Sequence, residues 1–450
     1  MIGKYKLLRA GLGVLSLAFL LSCGGGSEVS GGSVSGHFEG NGFTIGGSSG
    51  GNGSNGDSTG GNGGASGNAS TGNDGSTTTA GNGNDDGSGV GSGGTGVSTA
   101  DAGTVGSVDG MGSIIVGGLR YNDDNAVIDR PDADAWQLGM TVAVTGPVDS
   151  DFATGTAQRL KSRAQMRGAV GTVDVANGSF QMLGSTVSVD DETVWADLVG
   201  LSGLVTGAQV KVWALPVSPG LLRATRIESQ VAAATTLVTG TVKALNSANK
   251  TFQLGGLVIG YGAATLPAEG VVVDRIVRVE AMAPPSGGRL EATQVEGWYA
   301  LTSVQGAAVQ LEGVIDQFAS KGNFKLMGVT IDASSAQVTG GQESKLNNGV
   351  KVVASGTLSA GGVLVASKLK IRHVPGEGAL TKYYDVHGTI ESFQSPSDMR
   401  VRSVSGGVQK VDVSAALVSG AGQLQNGQKV RVQGSQVIRG VLQVTQLTYE

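Results

Sequence analysis

The sequence predicts an all-β protein in which small five-stranded repeats follow a disordered segment rich in Gly, Ser and Asn. Three observations support this fold class. Residues 24–103 are almost wholly Gly, Ser, Asn, Thr and Asp. Beyond them, apolar and polar residues alternate in short runs bounded by glycine, which is the pattern of half-buried strands. A Gly-x-Val or Gly-x-Ile triplet also recurs along this second part, where helical periodicity is nearly absent.

The N-terminus has the three parts of a cleavable secretory signal, namely a basic start, an apolar run and small residues at the end. The apolar run covers residues 10–21, which is too short to span a bilayer. It ends in Leu20-Leu21-Ser22-Cys23-Gly24, which resembles the bacterial lipobox. The resemblance implies that residues 1–22 are a lipoprotein signal peptide and that Cys23 carries diacylglycerol. Leu21 departs from the motif, which usually has Ala, Ser or Thr at this position.

Lipidation gives the single cysteine of the chain a use. Because Cys23 has no second cysteine to pair with, a disulfide within the chain is excluded, and a free thiol would be a liability in an exported protein. The alternative is an ordinary signal peptide with an incidental cysteine. Gly24 stands where an Asp would retain a lipoprotein in the inner membrane of enterobacteria-like cells. The resemblance therefore implies the outer membrane, either at its periplasmic face or at the cell surface.

Residues 23–103 are predicted to form a disordered stalk. Such a segment cannot bury enough apolar area to offset the entropy lost on ordering. As a flexible coil it would span about 50 Å. Two alternatives are less favoured: a calcium-binding repeat at residues 82–87, which lacks a regular nonapeptide period, and a short recognition element or vestigial strand pair at residues 37–45.

From residue 104 onward the chain repeats one unit five times. Each copy starts with a Gly-x-aliphatic triplet, at Gly106–Val108, Gly171–Val173, Gly240–Val242, Gly313–Ile315 and Gly388–Ile390. These starts predict repeat 1 at 104–163, repeat 2 at 164–231, repeat 3 at 232–299, repeat 4 at 300–373 and repeat 5 at 374–450.

Each copy predicts five strands. The triplet opens the first, and an apolar pair two residues apart forms the second, usually followed by a turn glycine, as in Phe180-Gln181-Met182-Leu183-Gly184. The third follows that turn, the fourth follows an apolar-x-x-Gly turn, and the fifth reads Leu-x-Ala-x-x-aliphatic. In repeat 3 Asp274 takes the glycine position before the fourth strand, and Asp tolerates turn conformations. Repeat 1 keeps only Ala157 and Leu160 of the fifth-strand pattern.

Five short strands with glycine-rich turns predict a small β-barrel or a tightly curled sheet. Their order, with a long connection between the third and fourth strands, looks like an OB-type barrel. The unit is similar to a family of domains of unknown function found in tandem in Gram-negative bacterial lipoproteins. The resemblance covers nearly all of residues 104–450, with repeats 1 and 3 departing most. Its motifs are structural, so it implies a fold and no chemistry.

The sequence predicts no catalytic residue, no metal site and no cofactor. His37, His373 and His387 lack the spacing of a metal site, and a functional pair of His373 and His387 is the less favoured alternative. We interpret Asp190-Asp191-Glu192 as an ordinary acidic turn and not as a glycosidase-like acid pair. No nucleophile elbow, phosphate loop or dinucleotide motif stands in a strand-to-helix context. An enzyme is therefore not expected.

Aromatic residues near the repeat boundaries are the candidate ligand surface, because exposed rings on barrels serve as stacking platforms. They are Trp298, Tyr299, Tyr383 and Tyr384. Packing between repeats is the alternative explanation for these four rings. Trp136 stands at an apolar position shared by the repeats and is predicted to be core.

These observations predict a lipid-anchored envelope protein that presents five β-domains for structural or binding roles. Tandem copies of a weak binder gain avidity, whereas a catalytic site seldom needs five degenerate copies. The expected partners are the membrane, through the lipid on Cys23, and an envelope polysaccharide or envelope protein. An array of oligosaccharide-binding OB-type modules is the alternative. A net charge of -5 and a pI near 5.4 give no attraction to phosphate backbones, so no nucleic acid is expected.

Overall fold

The computed structural model describes residues 103–231, 235–299, 304–377 and 384–450. The prediction of an all-β fold is confirmed for these ranges, in which the only helices are 3-10 turns at Leu201–Gly203 and Glu343–Lys345. No helix in the described ranges is long and apolar enough to cross a membrane. The predicted signal peptide, Cys23, His37 and the predicted stalk up to residue 102 lie outside them.

The strands follow the predicted repeats along the chain. Repeat 1 contains β1 (Gly103–Met111), β2 (Ile114–Val116), β3 (Leu119–Asn122), β4 (Val127–Asp129), β5 (Thr141–Thr145), β6 (Thr154–Thr156) and β7 (Arg159–Ser162). Repeat 2 contains β8 (Met166–Asp174), β9 (Ser179–Met182), β10 (Ser185–Ser188), β11 (Val194–Trp195), β12 (Gln209–Ser218) and β13 (Leu221–Ser229). Repeat 3 contains β14 (Thr236–Thr241), β15 (Lys243–Asn246), β16 (Thr251–Leu254), β17 (Leu257–Gly260), β18 (Ile276–Ala281), β19 (Arg289–Glu291) and β20 (Gln294–Gly297).

The last two repeats have the longest strands. Repeat 4 contains β21 (Ala308–Ser320), β22 (Asn323–Leu326), β23 (Val329–Asp332), β24 (Gln337–Thr339), β25 (Lys351–Leu358) and β26 (Leu364–His373). Repeat 5 contains β27 (Tyr384–Ser395), β28 (Asp398–Ser403), β29 (Val408–Asp412), β30 (Leu417–Ser419), β31 (Lys429–Ile438) and β32 (Val441–Tyr449).

The strands of repeat 4 pair in a closed cycle. β21 pairs antiparallel with β22 and β22 with β23, after which β23 pairs parallel with β26. β26 then pairs antiparallel with β25, and β25 returns to β21. Repeats 2 and 5 show the same cycle. In repeats 1 and 3 the cycle includes divided strands, namely β6 with β7, β14 with β15, and β19 with β20.

The turn before the fourth strand is the same in all five repeats. Its central residue has a positive φ at Gly139 (81°), Gly207 (87°), Asp274 (65°), Gly349 (87°) and Gly427 (88°). Each of these residues donates its backbone N–H to a first-strand or adjoining carbonyl, on Val108, Val170, Val242, Ile315 and Ile390, at 2.8–2.9 Å. The prediction that Asp274 substitutes for a turn glycine is thereby confirmed.

These hydrogen bonds correct the predicted opening triplet of repeat 2, which was Gly171–Val173. The carbonyl of Val170, not that of Val173, accepts the bond from Gly207. Val170 also pairs with Met182, as Ile315 of repeat 4 pairs with Leu326. The opening triplet of repeat 2 is therefore Gly168–Val170, because two Gly-x-Val triplets stand in succession and only the first has the right spacing to the turn at Gly207.

The repeats share their apolar interiors. Repeats 2 and 3 contribute to one cluster of buried side chains, and repeats 1 and 5 dominate a second, in which the predicted core residue Trp136 is 1% exposed. β1 joins three repeats, because it pairs parallel with β21 near its start and with β27 near its end. Polar residues on β1 are consequently enclosed by repeats 4 and 5.

Candidate functional site

The inner side of β1 carries two polar side chains into the interior. Ser107 is 0% exposed and Asp109 is 3% exposed. The backbone N–H of Ser107 donates to Oε2 of Glu312 on β21 at 2.7 Å, and its hydroxyl donates to the same oxygen at 2.9 Å. β1 is thus joined to repeat 4 by a buried carboxylate as well as by strand pairing.

Lys351, at the start of β25, lies at the centre of a buried ion network. Its Nζ is 2.9 Å from Glu192 of repeat 2 and 3.1 Å from Glu312, and each of these side chains is at most 1% exposed. Removing such charges from water costs several kcal/mol per ion, which only close opposite charges offset. The network therefore fixes repeat 2 against repeat 4.

Arg372 on β26 extends the network to repeat 1. Its Nη2 donates to Oδ2 of Asp109 at 3.0 Å, and its Nε lies 3.9 Å from Glu192. Burial alone would lower the pKa of Arg372, but the carboxylates of Asp109, Glu192 and Glu312 raise it above its usual value. The guanidinium therefore stays charged although its side chain is only 6% exposed.

The acidic run at Asp190-Asp191-Glu192 is a turn, as predicted, but the side chains of Asp190 and Glu192 are almost fully buried. The side chain of Asp190 is 2% exposed and pairs with Arg223 at 2.7 Å. Burial acts to raise the pKa of Asp190, but Lys351 and Arg223 lower it overall. Glu192 meets Lys351, and its backbone carbonyl accepts a hydrogen bond from the Tyr384 hydroxyl at 2.8 Å. Asp190 thus pairs within repeat 2, whereas Glu192 joins repeat 2 to repeats 4 and 5.

A cleft of about 330 Å³ opens where repeats 1, 4 and 5 meet, next to this network. Four cationic side chains line it, Arg120, Lys370, Arg372 and Arg431, together with the carboxylates of Asp109 and Asp385. The formal charge of these six groups is +2, in a chain whose net charge is -5.

The carboxylate of Asp385 is fully engaged within the cleft. Arg431 donates to both of its oxygens, at 2.9 and 2.6 Å, and Arg120 approaches one of them at 3.3 Å. Burial acts to raise the pKa of Asp385, but His387 and Arg431 lower it to about 2. Asp385 is therefore ionised at neutral pH and holds the two arginines in place.

His387 contacts two residues of the cleft, Asp385 and Arg120, and has partners other than His373. Its Nδ1 lies 2.9 Å from Glu450, and its Nε2 lies 3.2 Å from Asp385 and 3.1 Å from Arg120. His373 is a buried residue at the end of β26, 7% exposed. The structure thus gives no support to a functional histidine pair.

The predicted aromatic ligand surface is buried where the structure describes it. Trp298 and Tyr299 are 8% and 7% exposed with ring centroids 4.7 Å apart, and Tyr384 is 0% exposed. The Tyr299 hydroxyl accepts from the Arg163 N–H at 2.7 Å and donates to the Thr141 carbonyl at 3.0 Å. These rings pack between repeats and offer no open face for stacking, which corrects the prediction. Tyr383 lies outside the described residues.

Sequence reasoning missed the cationic cleft, although one signal was present. Lys368, Lys370 and Arg372 alternate along β26, which places three cations on one face of a strand. Arg120 and Arg431 come from distant positions and gave no local signal. Across the described residues, no group of three or more His, Cys, Asp or Glu side chains is arranged to hold a metal ion. The arrangement is suited to attracting an anion.

Comparisons with known proteins identify a domain but no activity. A family model described as "Domain of unknown function (DUF5666)" matches residues 167–228 and 312–370, which lie in repeats 2 and 4. No curated protein matches the chain. A solved structure, drosophila Unr CSD456, is similar at 14% identity over 48% of this chain and 99% of that one, with a TM-score of 0.14. A superposition of that quality says nothing about fold or function, whereas the two family matches are consistent with tandem copies of a domain of unknown function.

Proposed function

We propose that this protein is a lipid-anchored envelope protein that acts by binding, with Cys23 as its anchor and residues 23–103 as its stalk. The lipobox-like sequence at Leu20–Gly24 supports the anchor. The outer membrane is the proposed location. The partner is an envelope polysaccharide or an envelope protein.

The binding body consists, in this proposal, of five OB-type barrels. The cycle of strand pairing in each repeat supports this topology, because the third and fifth strands are parallel and the fourth returns to the first. OB-type barrels are five-stranded and present grooves and loops to ligands. The OB-type topology supports a binding role and does not imply a catalytic activity.

The observation that carries the binding role is the charged cleft between repeats 1, 4 and 5. Ligand sites are concave and occur preferentially where domains meet. The five repeats do not act as five separate and equal binders, because repeats 1, 2 and 4 meet around Lys351 and Arg372. We therefore propose one binding site assembled from several repeats instead of five separate sites that act through avidity.

Fatty-acid labelling of the full-length protein and of Cys23→Ala tests the anchor. We expect wild-type protein to incorporate labelled palmitate and to sediment with outer membranes. The Cys23→Ala variant should lose the label and be released from the membrane when the signal peptide is removed. Equal labelling of the two proteins would contradict the proposal.

A pull-down with the full-length protein tests the binding role. Peptidoglycan, extracted envelope polysaccharide and solubilised envelope proteins are the baits, and Ala153→Glu is the matched variant. Ala153 lines the cleft and is exposed, so the substitution adds a negative charge there without disturbing a core. Binding to one bait that falls in this variant is expected. No binding to any bait, or binding that the variant leaves unchanged, contradicts a role for the cleft.

A further inference from the structure

We propose that the cleft between repeats 1, 4 and 5 binds a phosphate group, carried either by a saccharide or by a lipid headgroup. The inference rests on the proposed binding role but not on the membrane anchor. It names the chemical class that the cleft recognises.

The charge of the cleft leaves one lysine available to a ligand. Asp385 is shared by Arg431 and Arg120, and Asp109 is bonded to Arg372. Lys370 forms no ion pair with any residue that the structure describes. The carboxylates of Glu192 and Glu312 lie behind Arg372, where Lys351 pairs with both. The excess of cationic over anionic side chains therefore lies among the residues that line the cleft.

The geometry brings two cationic groups to one point. A β-carbon built on Gly118 would lie 3.8 Å from the Lys370 Nζ and 4.0 Å from the Arg372 Nη1. Arg372 makes its hydrogen bond to Asp109 through Nη2, so Nη1 faces the space beside Gly118. Both groups can donate to one anion placed at that point.

A phosphate fits these donors better than a planar carboxylate does. Its oxygens point in tetrahedral directions and can accept from Lys370 and Arg372 beside Gly118, in a cleft that Arg120 of repeat 1 and Arg431 of repeat 5 also line. Arginine forks match phosphate oxygens in pairs, and lysine adds a point charge. The formal excess of +2 equals the charge of a phosphate monoester dianion.

The surroundings of Lys370 agree with an anionic ligand. Burial and the neighbouring Arg372 lower the pKa of Lys370, and an anion beside its ammonium group would oppose both effects. A volume of about 330 Å³ holds a phosphate with a small substituent and is at the lower end of ligand pockets.

Calorimetric titration of the full-length protein with inorganic phosphate tests the site. The ionic strength is held constant with chloride, and acetate serves as the carboxylate comparison. The proteins compared are wild type, Lys370→Gln, Ala153→Glu and the control Lys410→Gln. Lys410 is exposed on β29 of repeat 5 and does not line the cleft, so its substitution makes the same charge change elsewhere.

We expect saturable phosphate binding by wild type and by Lys410→Gln with equal affinity. Lys370→Gln should weaken it about tenfold or more, because a hydrogen bond to a charged group is lost. Ala153→Glu should abolish it. Absence of saturable binding by wild type, equal affinity in all four proteins, or acetate binding as tight as phosphate binding would overturn the proposal.

Two further ligands distinguish the source of the phosphate. A hexose phosphate that binds more tightly than inorganic phosphate, with a loss in Lys370→Gln, assigns the site to a saccharide. Sedimentation with vesicles of phosphatidic acid, whose headgroup is a phosphate monoester, that falls in Lys370→Gln assigns it to a lipid headgroup, since any anchor contributes equally to both proteins. Failure of Cys23→Ala to change membrane attachment would count against the anchor alone and leave these affinities unaffected.

Discussion

The contact between repeats 2 and 3 and the junction of repeats 1, 2 and 4 are built from different kinds of side chain. Repeats 2 and 3 meet through one continuous cluster of apolar side chains. At the junction of repeats 1, 2 and 4 the central side chains are Lys351, Glu192, Glu312, Arg372 and Asp109, all buried and ionic. The apolar contact continues the cores of repeats 2 and 3. The ionic junction forms only when each repeat is positioned so that its charges meet their partners.

The difference shows how one repeated unit forms two kinds of contact with its neighbours. Apolar contacts are non-directional, so neighbours along the chain can join wherever their faces meet. Buried ions are strongly destabilising when a partner is missing. The ionic junction therefore selects a single arrangement of repeats that are far apart in the sequence, and the cleft opens beside it.

Lys351→Met should have the largest effect, because it leaves the carboxylates of Glu192 and Glu312 buried without their cation. We expect a loss of about 3–5 kcal/mol in the free energy of unfolding. Urea unfolding of the full-length protein measures it, with Lys410→Met as the exposed control. Adding Glu312→Gln to Lys351→Met should recover part of the loss. A change below about 1 kcal/mol would show that the junction does not depend on its ions.

Gly184→Ala tests the apolar contact and should have an intermediate effect. Gly184 has a φ of 76°, and its carbonyl accepts from the Gly256 N–H at 2.7 Å. An added β-carbon would lie 2.7 Å from the backbone nitrogen of Leu257, so repeats 2 and 3 would have to separate. We expect a loss of about 1–3 kcal/mol in the free energy of unfolding.

Gly207→Ala is the matched control for that substitution. Gly207 has a φ of 87°, and nothing lies within 4 Å of an added β-carbon. The variant thus reports backbone strain alone, and the excess loss in Gly184→Ala reports the close approach. Equal losses would mean that the contact between repeats 2 and 3 is not tight at this point.

Asp385→Asn should have the smallest effect on stability, at most about 1 kcal/mol, since its arginine partners are partly exposed. The folded-state pKa of Asp385 is lowered to about 2 from its usual 3.8. Its contribution is therefore present above the usual value and is lost as the pH falls from about 4 to about 2. Unfolding measured in steps of pH should show the two proteins converging in that window. A constant difference down to pH of about 2 would contradict the assignment.

Much of the fold could be predicted because strands and turns leave local signals. Alternation marked the strands, and Asp274 was recognised as a turn residue from its position alone. The wrong triplet was predicted to open repeat 2, because Gly168 and Gly171 both start a Gly-x-Val triplet. Only the hydrogen bond from the Gly207 N–H to the Val170 carbonyl distinguishes them.

The site was largely beyond sequence reasoning. Glu192 and Lys351 are 159 positions apart, and Asp109 and Arg372 are 263 apart, so no local pattern joins them. The acidic run at Asp190 was recognised as a turn, but its burial was not, because its cations come from other strands. The boundary aromatics looked exposed for the same reason, since their covering comes from repeats far along the chain.

The position of β1 also has a mechanical consequence. Its first residues pair with β5 on one side and β21 on the other, and its last pair with β27. Ladder bonds run roughly across the strands, so tension that reaches Gly103 along the strand axis loads them all in shear. A strand pulled sideways from a sheet edge would instead release its bonds one after another. A pull from the N-terminal side is thus distributed over repeats 1, 4 and 5 before any of them opens.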